Sequence, residues 1–363
     1  MSDRSEWDFT VRSHAGPYQV VFDSLAIERL TEHVPDRAHV ILDRLVGELY
    51  REALEPILAR HPVLLIEATE RNKSLESMAG FVESLIDQGV RRDHSLVAIG
   101  GGIIQDITCF LAATLLRGLS WHYIPTTLLA QADSCIGSKS SINVGRTKNI
   151  VGTFNPPTRV TISTEFLHTL GPNEIRSGIG EMLKVHAIDG PASFDAIAGD
   201  YPDLLTDRAA LAGYIHRSLL IKRAIVEEDE FDRGRRAVMN YGHTFGHAIE
   251  AATKFGMPHG IAVTMGMDMA NFVAAQSDTA VEPWYRHMHP ILARNYSGWQ
   301  AMEIPIDAFF EAIKRDKKNV DAQLRLILPD VEGRIAPVLR PMNDEFRHHC
   351  VAYLDHERRQ AVA

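Results

Sequence analysis

Residues 95–118 read SLVAIGGGIIQDITCFLAATLLRG, and this stretch constrains the fold more than any other. Five residues of buried-strand character lead into Gly100, Gly101 and Gly102, and an apolar run at helical spacing follows. Glycines at such a turn let the backbone approach a bound group with no Cβ in the way. The helix behind them offers free N–H groups and a positive dipole end, which suit a pyrophosphate. The run is not a GxGxxG, and a tight turn alone would also use three glycines.

The flanking chain supports a strand–helix alternation. From Tyr18 to Thr164 short runs rich in β-branched residues (YQVVF, HVILD, PVLLIEA, WHYIP, RVTIS) alternate with amphipathic stretches such as SMAGFVESLIDQGV. That pattern predicts an α/β region with a largely parallel sheet. Beyond Thr164 the apolar residues recur at helical spacing, as in PNEIRSGIGEMLKVHAI, YGHTFGHAIEAATKF and GIAVTMGMDMANFVAAQ. The expected division is an α/β domain over 1–166 and a mainly helical domain over 167–363. With 363 residues, 45% of them hydrophobic, each part can build its own core. Glu70 and Lys73 follow a predicted strand, where they could meet a ribose or adenine group, although singly they read as surface charges.

Charge and cysteine usage narrow the function classes. A net charge of -9 argues against nucleic acid or an anionic membrane as main partner, so any bound anion needs a local cationic cluster. Cys109, Cys135 and Cys350 are odd in number and far apart, which suggests neither a disulfide framework nor a CxxC metal site. The polar start MSDRSEWDFTVRS has no apolar core of a signal peptide, and no segment reaches about eighteen uninterrupted apolar residues. A cytoplasmic protein without a membrane span is expected.

The segment MNYGHTFGHAIEAATKFGMPHG carries His243, His247 and His259. The first two stand at i and i+4, on one helical face, where both could reach a metal ion. The intervening TFG lacks the glutamate that would serve as a peptidase base. His259 falls where the next helix should begin. Glu181, in the apolar helix SGIGEMLKVHA, is costly to bury unless paired or metal-bound, and it is a candidate third ligand. Two histidines and a glutamate with an open position describe a catalytic zinc site. A core histidine with a satisfied hydrogen bond is the plainer alternative for any one of them.

Cationic residues recur in small-residue or apolar contexts: Arg117 in LLRGLS, Lys139 in CIGSKSSIN, Lys148 in TKNIVG, Lys184 in EMLKV, Lys222 in LLIKRAI and Arg236 in RRAVMN. Together they suggest a pocket for a substrate bearing phosphate and a carboxylate. Lys184 lies one helical turn from Glu181, which sets cation and ligand side by side.

In order along the chain, TERNKSLE, AIGGGIIQD, LLRG, IPTTLLAQADSCIGSKSSIN, TKNIVGTFNPP, SGIGEMLKVHAI, MNYGHTFGHAIEA, HGIAVTMGM and KRDKKNVDAQLRLILP make the sequence resemble 3-dehydroquinate synthase and the wider sugar phosphate cyclases, from about Asp43 to Pro329. The resemblance implies an N-terminal Rossmann-like NAD-binding domain, a helical metal-binding domain, an active site in the cleft between them, and a homodimer. Carried over by motif, Asp43, Glu70, Lys73, Gly101 and Gly102 would contact NAD. Asp106, Thr126, Thr127, Lys148 and Thr169 would complete that set. Glu181, His243 and His259 would bind zinc or cobalt, which turns His247 toward the substrate. Asp133, Lys139, Asn149, Lys184, Lys222, Arg236, Asn240, His247 and Lys317 would line the substrate pocket, and Arg117 would reach the neighbouring subunit's site.

The implied reaction oxidises a secondary hydroxyl of a seven-carbon sugar acid phosphate, eliminates phosphate, returns the hydride and closes the ring by an intramolecular aldol step. Arg236 and Lys222 would pair with the carboxylate. Gln105, Ser138, Val185 and Ile261 depart from the synthase pattern and open the question of the member: shikimate synthase, or a specialised cyclase making an aminodehydroquinate, a valiolone from sedoheptulose 7-phosphate, or an inosose from glucose 6-phosphate. A metal-dependent polyol or glycerol phosphate dehydrogenase is the alternative of another class, and a non-enzymatic metal or nucleotide binding module the third.

Overall fold

The computed structural model describes residues 5–145, 147–315 and 323–360. The chain packs as two compact units, residues 1–171 with 222–231, and residues 172–221 with 232–363.

Among the described residues the first unit holds nine strands: β1 (Phe9–Val11), β2 (Tyr18–Phe22), β3 (Ala38–Asp43), β4 (Val63–Ile66), β5 (Ser95–Gly100), β6 (Ser120–Pro125), β7 (Lys139–Val144), β8 (Thr147–Phe154) and β9 (Arg159–Ile162). Seven of them form one sheet in the order β1-β2-β9-β6-β5-β3-β4. Only the β1–β2 edge pair is antiparallel, and β9, β6, β5, β3 and β4 run parallel to β2. Register places Val40 opposite both Val63 and Val97, and Ile99 opposite Ile124. Val40, Leu42, Val97, Ile99 and Ile124 are fully buried with Leu54, Ile57 and Phe166 over them. Each such side chain contributes about 1.5–3 kcal/mol by leaving water.

The strand order fixes where a ligand can sit. The chain leaves β3 for β4 on one side, then returns to β5 on the other side of β3 and proceeds to β6. Neighbouring connections therefore diverge at the carboxyl ends of β3 and β5, and this switch point opens a crevice in a parallel sheet. Asp43 ends β3 and Gly100 ends β5. Helix α1 (Leu75–Asp87) begins two residues before the predicted amphipathic run, because the Ser74 hydroxyl accepts from the Ser77 N–H. Helix α2 (Gly102–Thr114) buries every residue from Ile107 to Ala112, as an apolar helix against a sheet must.

Strands β7 and β8, which the sequence reading did not single out, form an antiparallel hairpin with a register shift between Ile142 and Val144. Gly152 allows it, since a Cβ there would lie 2.2 Å from the Ser140 carbonyl oxygen.

The second unit holds α3 (Pro172–Asp189), most of α4 (Arg208–Glu228), α5 (His243–Ala252), α6 (His259–Ser277), α7 (Glu282–Asn295), α8 (Ile306–Lys314) and α9 (Asp344–Asp355). An antiparallel pair, β10 (Gln323–Pro329) and β11 (Ile335–Pro341), adds a small sheet that the helical reading did not anticipate. Helix α6 is buried without interruption from Gly260 to Ala275. Its polar residues are satisfied: Asp268 accepts from the Tyr296 hydroxyl at 2.7 Å, the Tyr353 hydroxyl at 2.8 Å and His289 Nδ1 at 3.0 Å. No helix of the described residues is long and apolar enough to cross a membrane. The three cysteines are free and buried.

Candidate active site

In the first unit the cofactor candidates gather at the carboxyl ends of the strands. Gly100 and Gly101 serve packing first: a Cβ on Gly100 would lie 2.6 Å from Ile104 Cγ1, and one on Gly101 would lie 2.9 Å from Thr127 Cγ2. Gly102, the first residue of α2, faces open space with Ser134 Oγ at 3.8 Å from its Cβ position. The sequence-level reading, close backbone approach for a ligand, therefore fits Gly102 best. The Thr126 N–H donates to the Gly100 carbonyl at 3.0 Å, joining the ends of β5 and β6. Asp43 caps the short helix after β3 by accepting from the Leu45 N–H, and burial pushes its carboxyl up against that bond.

Lys73 is buried and donates to Asp106 Oδ2 at 2.7 Å, while Asp106 Oδ1 accepts from the Ser141 N–H at 3.1 Å. Burial raises the Asp106 carboxyl despite the Lys73 ammonium. Glu70 shows the opposite balance. Burial would raise it, but the Asn143 amide, Lys73 and Lys148 hold it below its ordinary value, with Lys148 Nζ at 3.4 Å. Asn143, absent from the sequence-derived set, connects these parts: its Nδ2 donates to Glu70 Oε2 at 2.9 Å and its Oδ1 accepts from the Asn149 N–H at 2.9 Å. The exposed Thr169 pairs its hydroxyl with that of Tyr50 at 3.1 Å.

Lys222 donates to the Asp133 carbonyl at 2.5 Å and forms an ion pair with its carboxylate, Nζ to Oδ1, at 2.7 Å. Asp133 lies in a π-helical turn, Ala130–Ser134, and a reciprocal pair fixes that turn. Gln105 Nε2 donates to the Ser134 carbonyl and the Ser134 hydroxyl donates to Gln105 Oε1, both at 2.6 Å. Thus the residue that departs from the synthase pattern at 105 does have a structural role. Lys139 and Asn149 are exposed on the hairpin. Arg117 is exposed too, and with Leu116 it adopts a left-handed conformation (φ 71° and 52°), as does Asn149 (φ 52°). Non-glycine residues hold such angles at a cost of about 1–3 kcal/mol each.

In the second unit glycines bring the metal candidates together. Gly180 in α3 lies against α6, where a Cβ would sit 2.3 Å from the Gly260 carbonyl oxygen, and a Cβ on Gly260 would sit 1.8 Å from the Ser177 carbonyl oxygen. A Cβ on Gly266 would likewise sit 2.1 Å from the Gly242 carbonyl oxygen, so this glycine seats the start of α5 on α6. These contacts adjoin the candidate ligands: Gly180 precedes Glu181, Gly242 precedes His243 and Gly260 follows His259.

Three acceptor atoms converge there. Glu181 is 1% exposed, and its Oε1 lies 3.4 Å from His259 Nε2 and 3.8 Å from His243 Nε2, with no hydrogen-bond partner of its own. His243 Nδ1 faces the Tyr241 carbonyl at 3.2 Å and His259 Nδ1 faces Glu250 Oε2 at 3.1 Å. Both Nδ1 atoms therefore carry the proton, and both Nε2 lone pairs point toward the carboxylate. Lone pairs turned onto a carboxylate as buried as that of Glu181 repel unless a cation lies among them, so this donor set fits a divalent ion. The same potential acts on protons. Burial alone would lower His259, yet the Glu181 and Glu250 carboxylates beside it push it up to about 10. Glu181, which burial would raise, is held well below the usual carboxylate range by the Lys184 ammonium and His259, and Lys184 donates to its Oε2. His247 is exposed beside the cluster, its ring centroid 5.2 Å from that of His243 and 5.7 Å from that of His259. Donor atoms of all three histidines lie within 4.8 Å of one another. Arg236 is buried and Asn240 half-buried on the turn leading to α5, while Lys317 lies outside the described residues.

The 3-dehydroquinate synthase N-terminal family matches residues 63–177 and the 3-dehydroquinate synthase C-terminal family matches residues 178–319. The chain belongs to the 3-dehydroquinate synthase family. A 3-dehydroquinate synthase of Idiomarina loihiensis is 36% identical over 312 residues, covering 85% of this chain and 87% of its own. As a family member the chain is an enzyme, a carbon–oxygen lyase of the sugar phosphate cyclase type. Solved structures show that it has the dehydroquinate synthase-like fold. A 2-epi-5-epi-valiolone synthase from Streptomyces hygroscopicus, with NAD+ and Zn2+ bound, aligns at a TM-score of 0.81 and 24% identity over 93% of this chain and 96% of that one. A 2-deoxy-scyllo-inosose synthase complexed with carbaglucose-6-phosphate, NAD+ and Co2+ aligns at 0.79 and 24% over 95% and 98%. An iron-containing alcohol dehydrogenase shares the fold at a greater distance, with a TM-score of 0.61 and 14% identity over 93% and 97%.

Proposed function

We propose that this chain is an NAD- and divalent-metal-dependent cyclase that converts a seven-carbon keto-acid sugar phosphate into a carbocycle with loss of phosphate, as 3-dehydroquinate synthases do. The observation that carries the reading is the convergence of Glu181 Oε1 with the Nε2 atoms of His243 and His259. When bound, NAD supplies reversible oxidation of a secondary hydroxyl and the ion, zinc or cobalt, supplies Lewis acidity toward it.

The residues divide the remaining work. Glu181, His243 and His259 hold the ion. The N–H groups of Gly101 and Gly102 and the dipole of α2 receive the pyrophosphate. Asp43 and Glu70 accept from ribose hydroxyls, and Lys73, Asp106, Thr126, Thr127, Lys148 and Thr169 complete the cofactor set. Arg236, buried and always charged, receives the substrate carboxylate together with Lys222. Lys184, Lys139, Asn149, Asn240, Asp133, His247 and Lys317 serve the phosphate and hydroxyls. The protein is further proposed to act in the cytoplasm as a homodimer in which the exposed Arg117 serves the second subunit.

A substrate panel with NAD and zinc, read by inorganic phosphate, tests the reading. Phosphate from the seven-carbon keto-acid phosphate without net NADH, abolished in His243→Ala, is expected. Phosphate from sedoheptulose 7-phosphate, an amino analogue or glucose 6-phosphate alone would move the chain to a sister cyclase. Steady accumulation of NADH would make it a dehydrogenase.

A further inference from the structure

Helix α5 ends in a carboxylate that the local sequence does not favour. Glu250 lies in the last turn of His243–Ala252, which contains no basic residue. The negative end of the helix dipole disfavours an acid there. Its side chain is nevertheless mostly buried, 12% exposed, and turned across the α5–α6 connection onto His259 Nδ1 at 3.1 Å. His259 is the first residue of α6. Between the two, Lys254 and Phe255 both take left-handed angles (φ 52° and 60°), and the Phe255 N–H donates back to the Glu250 carbonyl at 2.7 Å. The connection thus folds Glu250 and His259 onto each other through backbone that non-glycine residues adopt reluctantly.

A carboxylate accepts only, so the proton of His259 must sit on Nδ1, which commits Nε2 to the side of Glu181. We infer that Glu250 is a positioning residue for the metal site: it fixes the tautomer and ring plane of His259 so that its Nε2 joins Glu181 and His243 around the ion. Outer carboxylates that hold ligand histidines in this way typically govern metal affinity about 10–100-fold. The inference rests on the metal reading proposed above. Glu250 touches neither the substrate nor the ion in this scheme, and it acts through His259.

The test is zinc affinity by chelator competition and the visible absorption spectrum of the cobalt-loaded protein, with helix content checked by circular dichroism. Glu250→Met removes the acceptor and keeps the volume. It is expected to bind zinc about 10–100-fold more weakly, with an altered cobalt spectrum. Glu250→Gln keeps an acceptor oxygen and is expected to restore affinity to within about threefold of wild type. Wild-type affinity and spectrum in Glu250→Met would overturn the inference, as would a Glu250→Gln as weak as Glu250→Met. His243→Ala separates the two readings: if it too binds zinc like wild type, the metal site itself is wrong, whereas loss in His243→Ala with none in Glu250→Met rejects only the role of Glu250. Should Glu250→Met fail to fold, the cobalt spectrum of folded Glu250→Gln decides, an unchanged spectrum supporting the inference and a changed one opposing it.

Discussion

Gly260 sits so close to Ser177 that a Cβ on the glycine would lie 1.8 Å from the Ser177 carbonyl oxygen. In an ordinary helix interior, glycine to alanine adds roughly 0.5–1 kcal/mol of stability. Here the sign reverses, because backbone cannot yield as a flexible side chain does. Gly260→Ala is expected to lose about 1–3 kcal/mol, the usual cost of overpacking, and to weaken zinc binding by moving His259 away from Glu181. Urea unfolding with a parallel zinc titration checks both, and an alanine variant of unchanged midpoint would show that α3 and α6 do not pack this tightly.

Glu181→Gln replaces one acceptor oxygen of the convergent set with a neutral amide. Zinc affinity should fall by more than the roughly 10–100-fold expected for an outer partner. Removing the ion with a chelator should stop phosphate release, and zinc or cobalt should restore it in wild type but not in Glu181→Gln.

Gln105 and Ser134 hold the turn that carries Asp133, and Asp133 in turn holds Lys222. Gln105→Ala leaves the Ser134 hydroxyl and carbonyl without these partners, which costs about 1–3 kcal/mol if they stay buried. Under the proposed role of Lys222, KM for the sugar phosphate should rise about tenfold, a loss of about 1.4 kcal/mol in binding, with a smaller change in kcat. Steady-state kinetics decide, and a KM unaffected by the change would separate the turn from substrate binding.

His289 faces Asp268 at 3.0 Å, with the Tyr285 hydroxyl at 3.3 Å and Glu357 near enough to act on it. Burial would lower this imidazole, but the hydrogen bond and charge of Asp268 raise it above its ordinary value. A raised folded value means that the stabilisation is complete below the unfolded value of about 6.5 and fades as pH climbs through the folded value. Wild type should therefore lose stability relative to His289→Gln as pH rises from about 6.5. Denaturation midpoints of the two proteins across that range provide the check, and parallel curves would remove His289 from the account.

Much of this was legible in the sequence, and the reasons are specific. YQVVF, HVILD and SLVAI read as strands because β-branched runs end at glycine or charged turns, and MPHG placed His259 at the start of a helix. The grouping of Glu181 with His243 and His259 came from the family resemblance, whereas residue chemistry alone paired His243 with His247 and offered Glu181 as a candidate third ligand. What escaped the reading depends on partners distant in sequence. A glycine inside a helix reads only as a weak helix former, so the Gly180–Gly260 contact was invisible. Glu250 reads as one more charge on an amphipathic helix until the connection folds it back onto His259. Asn143, which bridges Glu70 and Asn149, and the 139–154 hairpin have no periodic signal strong enough to declare them. Left-handed angles at Arg117 and Asn149 belong to residue types that give no warning of them.

The glycine contacts around Glu181, His243 and His259 also bear on how those three come to stand together. Glu181, His243 and His259 each arrive on a different helix, and no short length of unfolded chain offers more than a fraction of the set. The convergent set exists only where the three helices are docked. A substitution that unseated any one of those glycines would scatter the set without touching one of its members.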